Sequence, residues 1–353
     1  MPADRISSSR MRILLLNDTL FRAELERHHE VRACGPVGHY PMPDQDRFDV
    51  VLPARTELSL KEVLTRLEGF VPDLILHSET TTNTFYRGID QAPCPTIWRT
   101  IDNHLHRWQP RYAPTHDLVL VTQKDHLPAF QAIHPHAYWM PLNSFPALHA
   151  DRGLARDIPV AFAGSMDPGR HPARVAFLEA LGHQVPLEVA SHCTQGEVSG
   201  LYNRARIVIN QCVDRDLNYR VLEAMANGAL LITPRIGNGL IELFAEGREL
   251  ITYPEHDVDA AARLCRYYLE HESERQAIAE AGRRAVAQAH TLEHRIDALY
   301  ALIDAVIPQA YAHRSERLTG AAYGQLALLY AALHTRRHTS AGLTLEALEA
   351  LAR

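Results

Sequence analysis

The sequence predicts an α/β protein built from two parallel-sheet domains with a cleft between them. Apolar, strand-like runs alternate with helix-like runs on both sides of a polar segment, residues 143–157, that contains Pro and Gly. Runs such as "ALLIT" at 229–233 are apolar without alternation, which is typical of parallel strands covered on both faces. The 353 residues exceed one ordinary core and fit two domains. We therefore predict two Rossmann-like halves that bind ligand at the carboxyl ends of their strands.

The first half opens on a short apolar strand, "MRILLLND", and continues with further strand and helix patterns. A stretch such as "DLILHS" is short, apolar and bounded by polar residues, as expected of a buried strand. The predicted strands cover 11–18, 49–52, 73–78, 95–100, 117–122 and 137–142, and the predicted helices cover 58–69 and 123–133.

The alternation starts again after the linker at 143–157. In "RDLNYRVLEAMANGALLITPR" (215–235) an amphipathic helix precedes a buried strand, and Asn227-Gly228 is a typical left-handed helix stop. The other predicted strands cover 158–164, 185–190, 206–211 and 248–253, and the other predicted helices cover 171–182, 196–205, 239–247 and a long series over 257–306.

The tail, 311–353, carries two more helical patterns with an apolar stripe. Such a stripe must be covered, because a two-helix hairpin has too small a core to stand alone. We expect the tail to pack in cis on the first domain; a dimer or client-protein surface is the alternative. The predicted units are therefore 1–150, 151–310 and 311–353. The stripe comprises Leu318, Ala322, Leu326, Leu329, Tyr330, Leu333, Leu343, Leu345, Leu348 and Leu351.

Composition excludes several classes of protein. The net charge of −6 argues against duplex nucleic acid or an anionic membrane as the main partner. The five cysteines form no C-x-x-C pair, which indicates reduced thiols and no zinc cluster. The first residues lack the apolar region of a secretory signal, and no run reaches the length of a membrane span. We predict a cytoplasmic protein.

Two charged residues in the helix of 215–235 need an explanation. Arg220 lies in the first turns, where the helix dipole disfavours a cation, and Glu223 follows one turn later. One explanation is a solvent-exposed i, i+3 pair worth a few tenths of a kcal/mol. The other is an anionic, polyhydroxylated ligand at the start of the helix.

The second half also carries an ordered set of motifs over about ninety residues, much longer than a short motif. They are R-V-x-E-A-x-A-x-G, then G-x-x-E-L-F-x-x-G-x-E-L, then a helical run that ends in H-T-x-x-H-R. This region resembles the nucleotide-binding half of GT-B glycosyltransferases, in particular the CgeB-like group and the glycosyl transferases group 1 domain. "IWRTIDNHLHRW" and "YWMPLNSFPALH" extend a looser match into the first half.

The resemblance implies the GT-B fold with extra C-terminal helices, and a hexosyl- or related transferase. Domain 151–310 would bind a nucleotide-sugar, and domain 1–150 would bind the acceptor, which is a glycan, protein or small molecule. The related family 4 has two glutamates eight positions apart, whereas here Arg215 stands eight positions before Glu223. No glycine-rich loop follows the first strand. The stereochemistry of that family is therefore not carried over.

A nucleotide-sugar needs donors for its pyrophosphate and a carboxylate for its ribose hydroxyls. Glu223 is the predicted ribose acceptor and Arg220 the predicted phosphate partner. The loops "AGSMDPGRHPAR" and "PRIGNGLIE" each lead into a helix and allow close approach of a ligand, although an ordinary turn explains their Gly and Pro equally well. The predicted donor-binding residues are Gly164, Ser165, Arg170, Arg174, Asn218, Tyr219, Arg220, Glu223, Asn238 and Gly239.

Asp102 and His104 are the predicted catalytic residues, because they follow a buried strand and are of the types that deprotonate hydroxyls. A helix N-cap and a surface histidine are the alternatives. The pairs His104/His106 and His134/His136 have metal-like spacing, but no acidic triad or cysteine accompanies them in the sequence. We expect no metal and no other cofactor.

Two other functions are open. A nucleotide-sugar epimerase of the same fold would need extra carboxylates in the cleft. A non-catalytic sugar-nucleotide-binding or scaffold protein is compatible with the missing first glutamate. Serine hydrolase chemistry is excluded, because the sequence has no G-x-S-x-G motif.

Overall fold

The structure is a computed structural model that describes residues 9–36, 48–53, 57–79 and 85–318. In these ranges the chain forms two parallel sheets in succession, each covered by helices. Residues 319–353, which carry most of the predicted apolar stripe, lie outside the described part. Within the described part, no helix has the length and apolar character needed to cross a bilayer.

The first sheet has seven parallel strands in the order β3-β2-β1-β5-β7-β8-β9, and β4 pairs separately with β6. All predicted strands of the first half are present, within a few residues of their predicted ends. Strands β2, β4 and β6 were not predicted. The segment "EVRACG" of β2 alternates exposed and buried residues over its first four positions, and β4 and β6 have only three residues each. The strands are β1 (Arg12–Leu16), β2 (Glu30–Gly35), β3 (Val50–Val51), β4 (Glu57–Ser59), β5 (Leu74–Ser78), β6 (Phe85–Arg87), β7 (Thr96–Thr100), β8 (Leu118–Val121) and β9 (Ala137–Trp139).

The second sheet has five parallel strands in the order β11-β10-β12-β13-β14. Strand β10 pairs with both β11 and β12, so the strand that follows the linker lies inside the sheet. The five strands predicted after the linker are all present. They are β10 (Ile158–Ala163), β11 (Leu187–Ala190), β12 (Ala205–Ile209), β13 (Leu230–Pro234) and β14 (Ile251–Tyr253).

Helices cover both sheets, and those of the first half are short. The predicted helices 58–69 and 123–133 are observed as shorter segments. The first-half helices are α1 (Arg22–Leu25), α2 (Leu60–Thr65), α3 (Gln109–Tyr112) and α4 (Leu127–Gln131). The others are α5 (Pro172–Gly182), α6 (Gln195–Arg204), α7 (Tyr219–Ala226), α8 (Leu240–Leu243), α9 (Val258–Glu270), α10 (Glu272–Ala289), α11 (Leu292–Ala312) and α12 (Arg314–Arg317).

Helix α7 begins later than the sequence suggests. Asp214 and Arg215 have positive φ angles of 45° and 61°, which are incompatible with a right-handed helix, so the helix starts only after them. Gly228, with φ of 78°, ends the helix at the predicted stop. The helix buries Val221 and Met225 in the core between the second sheet and α10. Arg220 and Glu223 are therefore fixed on a well-packed element.

Helix α11 returns to the first domain. Leu299 and Ile303 pack with Ile13 and other residues of the first sheet in one apolar cluster. Residues 292–310 therefore pack with the first domain, whereas the sequence analysis assigned them to the second. Helical periodicity identifies an apolar face but not the surface that this face covers, which explains the difference.

The chain crosses between the domains twice, and the two crossings lie side by side. The amide N of Ser144 donates to the His290 carbonyl oxygen over 2.8 Å, and the amide N of Leu292 donates to the Ser144 carbonyl oxygen over 3.0 Å. Arg295 donates to the carbonyl oxygens of Pro141 and Leu142 over 2.9 and 3.1 Å. These bonds hold the linker against the start of α11.

The described part of the tail packs on the first domain. Asp117 is fully buried; Arg314 donates to its Oδ1 from Nε over 2.9 Å, and Arg317 from Nη2 over 2.6 Å. The Tyr311 hydroxyl donates to the Pro93 carbonyl oxygen over 3.1 Å, and Leu318 joins the first-domain core. Cis packing therefore holds for the tail as far as Leu318.

Candidate active site

Loops at the carboxyl ends of both sheets meet at the start of α7. Arg99, at the end of β7, donates from Nη2 to the hydroxyl oxygen of Tyr219 over 3.0 Å. Gln123, after β8, accepts from the Leu217 amide over 2.8 Å and donates to the Leu217 carbonyl oxygen over 3.2 Å. Ligands of open α/β sheets bind at this end of the strands, so this cleft is the candidate site.

Arg220 extends from the first turn of α7 to the ends of two strands. Its Nε and Nη2 donate to the Ala163 carbonyl oxygen over 2.9 and 2.6 Å, and its Nη1 donates to Oδ1 of Asn210 over 2.6 Å. Its Cζ lies 4.3 Å from the centroid of the Phe162 ring. These bonds use three of the five N–H donors of the guanidinium group. The side chain is thus held rigidly, with donors to spare for a ligand.

Gly164, Ser165 and Arg174 lie beside this arginine. A β-carbon on Gly164 would be 2.5 Å from Nη2 of Arg220, so only glycine leaves room for the guanidinium group. Arg174 is buried and donates from Nη1 to the Ser165 carbonyl oxygen over 3.3 Å. Its Cζ lies 5.7 Å from the Phe162 centroid, so one aromatic ring supports both arginines. We call Arg174 and Arg220 the basic pair, because both guanidinium groups lie against the Phe162 ring.

Arg220 and Glu223 do not pair with each other in the described structure. Glu223 is only 7% exposed, and its Oε1 lies 3.9 Å from Nε2 of His149, a residue of the linker. The same His149 nitrogen lies 3.3 Å from Oε1 of Gln195. The explanation of a solvent-exposed i, i+3 pair is therefore wrong. Arg220 has no carboxylate within ion-pair distance among the described residues, which favours an anionic ligand beside it.

Arg170, a predicted donor-binding residue, lies on the surface in the turn before α5. Its side chain is 81% exposed, and its Nε lies 3.5 Å from Oδ2 of Asp167. The Gly169 amide donates to Oδ1 of the same aspartate over 2.8 Å, which closes a tight turn before α5. This turn leaves Arg170 on the surface.

Asn218 and Tyr219 form the start of α7. Asn218 occupies the N-cap position and donates from Nδ2 to Oδ1 of Asn210 over 3.4 Å, and its own Oδ1 is buried without a hydrogen-bond partner in the described chain. The Tyr219 hydroxyl accepts from Arg99 across the cleft. Burial raises the pKa of Tyr219 above its usual value. Tyr219 therefore joins the domains, which differs from its predicted role in binding the donor.

Asn238 and Gly239 also contact the first domain. Oδ1 of Asn238 accepts from the Asp125 amide over 3.0 Å, and its Nδ2 donates to the Arg215 carbonyl oxygen over 2.8 Å. A β-carbon on Gly239 would overlap the Trp139 ring. In the described structure the first domain approaches this loop closely, through Asp125 and Trp139.

Glu79, just after β5, is a cleft residue that the sequence analysis missed. It is 4% exposed, and its Oε2 accepts from the amides of Ile101 and Asp102 over 2.7 and 3.1 Å, and from Nε2 of Gln109. Its Oε1 has no hydrogen-bond partner among the described residues. Burial, assisted by the charge of Asp102, raises the pKa of Glu79 to about 8. No local motif in "HSET" marks this residue.

Asp102 and His104 follow β7 at the same edge of the sheet. Burial raises the pKa of Asp102; His104 opposes this shift and Asp216, from the second domain, adds to it. Nδ1 of His104 is buried and has no hydrogen-bond partner in the described part of the chain. Asp102 therefore lies close enough to the second domain to interact electrostatically with Asp216.

The fold brings carboxylates to one of the two histidine pairs. Ligand atoms of Glu79, Asp102 and His106 lie within 4.8 Å of one another, and Nε2 of His106 is 3.4 Å from Oε1 of Glu79. The sequence shows no acidic triad beside His104/His106, and the fold adds two carboxylates, Glu79 and Asp102, near His106. His134 differs, because its two ring nitrogens bond the His116 carbonyl oxygen and the His136 amide.

Comparisons with known proteins agree with this architecture. Residues 148–301 match the family described as glycosyl transferase-like. A glycosyltransferase from Rickettsia africae is similar in structure with a TM-score of 0.62 and 14% identity, over 85% of this chain and 99% of that chain. Sucrose-phosphate synthase from Thermosynechococcus elongatus is similar with a TM-score of 0.59 and 13% identity, over 83% of this chain and 99% of that chain.

The Anabaena protein HepE, in complex with UDP and glucose, gives a TM-score of 0.57 and 13% identity, over 84% of this chain and 100% of that chain. No curated protein is significantly similar in sequence. The identities are low, so the solved structures establish the fold alone. The chain therefore has the GT-B fold of two Rossmann-like domains, and its residues 148–301 match the glycosyl transferase-like family.

Proposed function

We propose that the protein is a glycosyltransferase that moves a sugar from a nucleoside-diphosphate donor to an acceptor nucleophile. The observation that carries the proposal is the basic pair, Arg174 and Arg220, held over Phe162 at the carboxyl ends of the second sheet. The glycosyl transferase-like match covers both arginines. Among the related groups we propose the CgeB-like one, on the ordered motifs of the second half.

The basic pair would bind the diphosphate of the donor. Breaking the glycosidic bond leaves negative charge on the diphosphate, and guanidinium groups stabilise this charge through charge-assisted hydrogen bonds. Arg220 is pre-organised for this task, because its bonds to Ala163 and Asn210 fix it before any ligand arrives. The N-terminus of α7 adds a favourable dipole. Gly164 and Ser165 lie beside the same position, where their backbone and hydroxyl groups would contact the phosphates.

Glu223 would accept hydrogen bonds from the ribose. It lies one turn from Arg220 on the same helix, and Nε2 of His149 lies 3.9 Å from its carboxylate on the linker side. Asp102 or His104 would take the proton of the acceptor, since both lie on the opposite side of the cleft. In this arrangement the donor binds the second domain and the acceptor binds the first.

The test is release of free nucleoside diphosphate from a panel of nucleotide-sugars, with UDP-glucose first. HepE of Anabaena has been solved with UDP-glucose, which motivates this choice. We expect one donor to give diphosphate that increases with added acceptor. A protein that binds nucleotides but converts none of the panel would be a binding or scaffold protein, contrary to the proposal.

A nucleotide-sugar epimerase is the second candidate, and one observation favours it. The cleft contains the carboxylates Glu79 and Asp102 together, which an epimerase would need. Proton NMR of the donor during incubation separates the two functions, because an epimerase changes the configuration of the sugar and its product is still a nucleotide-sugar. Appearance of a new nucleotide-sugar with no acceptor dependence would favour the epimerase.

Glu223→Gln is expected to weaken nucleotide binding by roughly 10- to 100-fold, since a hydrogen bond to a charged group contributes about 1.5–3 kcal/mol. The amide retains the shape but offers one acceptor oxygen in place of two. Calorimetric titration with UDP, and with the other nucleoside diphosphates, measures the effect. Glu188→Gln, on an exposed position of β11, is the control and should bind like wild type. Equal affinity of both variants would remove Glu223 from the site.

Nucleoside diphosphate affinity is expected to be the same with and without excess chelator. The physical reason is that Arg174 and Arg220 neutralise the diphosphate, so no cation has to bridge it to the protein. Titration of chelator-treated protein in chelator-containing buffer measures this. If affinity is lost and magnesium or manganese restores it, the donor requires a metal and this part of the proposal is wrong.

A further inference from the structure

We propose that Glu79, Asp102 and His106 bind one divalent cation on the first-domain side of the cleft. Their ligand atoms lie within 4.8 Å of one another, and Nε2 of His106 is 3.4 Å from Oε1 of Glu79. Glu79 follows β5 and the other two follow β7, which is the neighbouring strand of the sheet. The sheet topology therefore brings together groups that are far apart in sequence.

The surroundings of Glu79 are those of a metal ligand. Three N–H groups donate to its Oε2, from Ile101, Asp102 and Gln109. Its Oε1 is buried and receives no hydrogen bond in the described structure, although the residue is only 4% exposed. Ligating carboxylates are usually oriented in this way, by hydrogen bonds to the oxygen that does not face the metal. This oxygen receives no hydrogen bond and faces Nε2 of His106 at 3.4 Å, so a cation bound by both atoms would complete its environment.

The donor set indicates the class of cation. Two carboxylates and one imidazole suit Mn²⁺ or Zn²⁺, whereas Ca²⁺ and Mg²⁺ prefer oxygen ligands throughout. Three protein ligands leave positions for water or for an oxygen of the acceptor. A cation on Asp102 would also leave His104 as the group that takes the acceptor proton. The site is on the acceptor side and does not involve the basic pair that we propose for the diphosphate.

The test uses full-length protein freed of metals with chelator and then dialysed. Titration with MnCl₂, with free Mn²⁺ followed by electron paramagnetic resonance, should give one saturable site per chain. Glu79→Gln and Asp102→Asn should each weaken binding more than about 10-fold, because even changes around metal ligands typically cost about 10- to 100-fold. The readout does not depend on any transferase activity, so it stands apart from the proposed function.

Two variants outside the group of ligands serve as controls. His136→Gln changes a histidine elsewhere in the first domain, and Glu188→Gln changes an exposed carboxylate of the second domain; both should retain the wild-type affinity. Melting curves without metal identify a variant that fails to fold, and Asp102→Asn, at a half-buried position, carries less of this risk than Glu79→Gln. The absence of stoichiometric Mn²⁺ binding to wild type, or binding that persists in folded Glu79→Gln and Asp102→Asn proteins, would overturn the proposal.

Discussion

Arg220→Met is expected to lower the affinity for nucleoside diphosphate by roughly 100-fold. The guanidinium group is fixed by Ala163 and Asn210 and stacked on Phe162, and it has no carboxylate partner among the described residues. Loss of two charge-assisted hydrogen bonds to phosphate, at about 1.5 kcal/mol each, amounts to about 3 kcal/mol. Methionine retains an apolar contact with the Phe162 ring, so the effect reports the charge more than the packing.

Calorimetric titration of wild type and Arg220→Met with the diphosphate that binds best measures this effect. Arg170→Met is the matched control, because Arg170 is an arginine on the loop before α5 whose side chain is largely exposed. It should bind like wild type. If both variants lose affinity to the same extent, binding depends on net charge, and the proposal that Arg220 binds the diphosphate is wrong.

Arg314→Met is expected to destabilise the protein by about 3–5 kcal/mol, the usual result of removing one partner of a buried ion pair. Asp117 is fully buried and accepts hydrogen bonds from the Thr96 amide, Arg314 and Arg317. Without Arg314, the Asp117 carboxylate stays buried but loses one of the two arginines that stabilise its charge. Unfolding in urea, monitored by circular dichroism, measures the change.

Arg12→Met is the control for this prediction. Arg12 also forms an ion pair, with Asp73 at 3.1 Å, but both side chains are more than 40% exposed, so its removal should cost less than about 1 kcal/mol. If the two variants are equally stable, the buried pair contributes nothing beyond a surface pair and the account of the tail is wrong.

The cost of Arg314→Met should also depend on pH. Burial alone would raise the pKa of Asp117, but its bonds to Arg314 and the neighbouring groups outweigh burial and hold this pKa below its usual value. In the variant, burial dominates and the folded protein takes up a proton at higher pH. The stability difference should therefore be largest near neutral pH and shrink as the pH falls towards the ordinary range of a carboxyl group.

Most strands were predictable, because each is a short apolar run, as a strand of a parallel sheet buried on both faces must be. Strand β2 was not, because "EVRACG" has the alternation of a half-exposed segment. The domain to which α11 belongs was also not predictable. Its apolar face, with Leu299 and Ile303, would suit either sheet, and only the three-dimensional structure shows that it covers the first.

The sequence predicted more of the site in the second domain than in the first. Gly164, Ser165, Arg174 and Arg220 do come together, because strand ends of a parallel sheet share one edge. Glu79 was missed because its significance depends on partners more than twenty residues away, at Asp102 and His106. The contact of Gly239 with the Trp139 ring was not predictable, because it joins residues of two domains that are far apart in sequence.

The most direct test of the central claim is the melting temperature of the protein with different nucleotides. A ligand that binds only the folded state stabilises it, by about 2.7 kcal/mol at a concentration 100 times its Kd. We predict that one nucleoside diphosphate raises the melting temperature of wild type, that the matching monophosphate and free phosphate raise it less, and that Arg220→Met removes most of the difference. If no nucleoside diphosphate changes the melting temperature at millimolar concentration, the protein does not use a nucleotide-sugar and the account is contradicted.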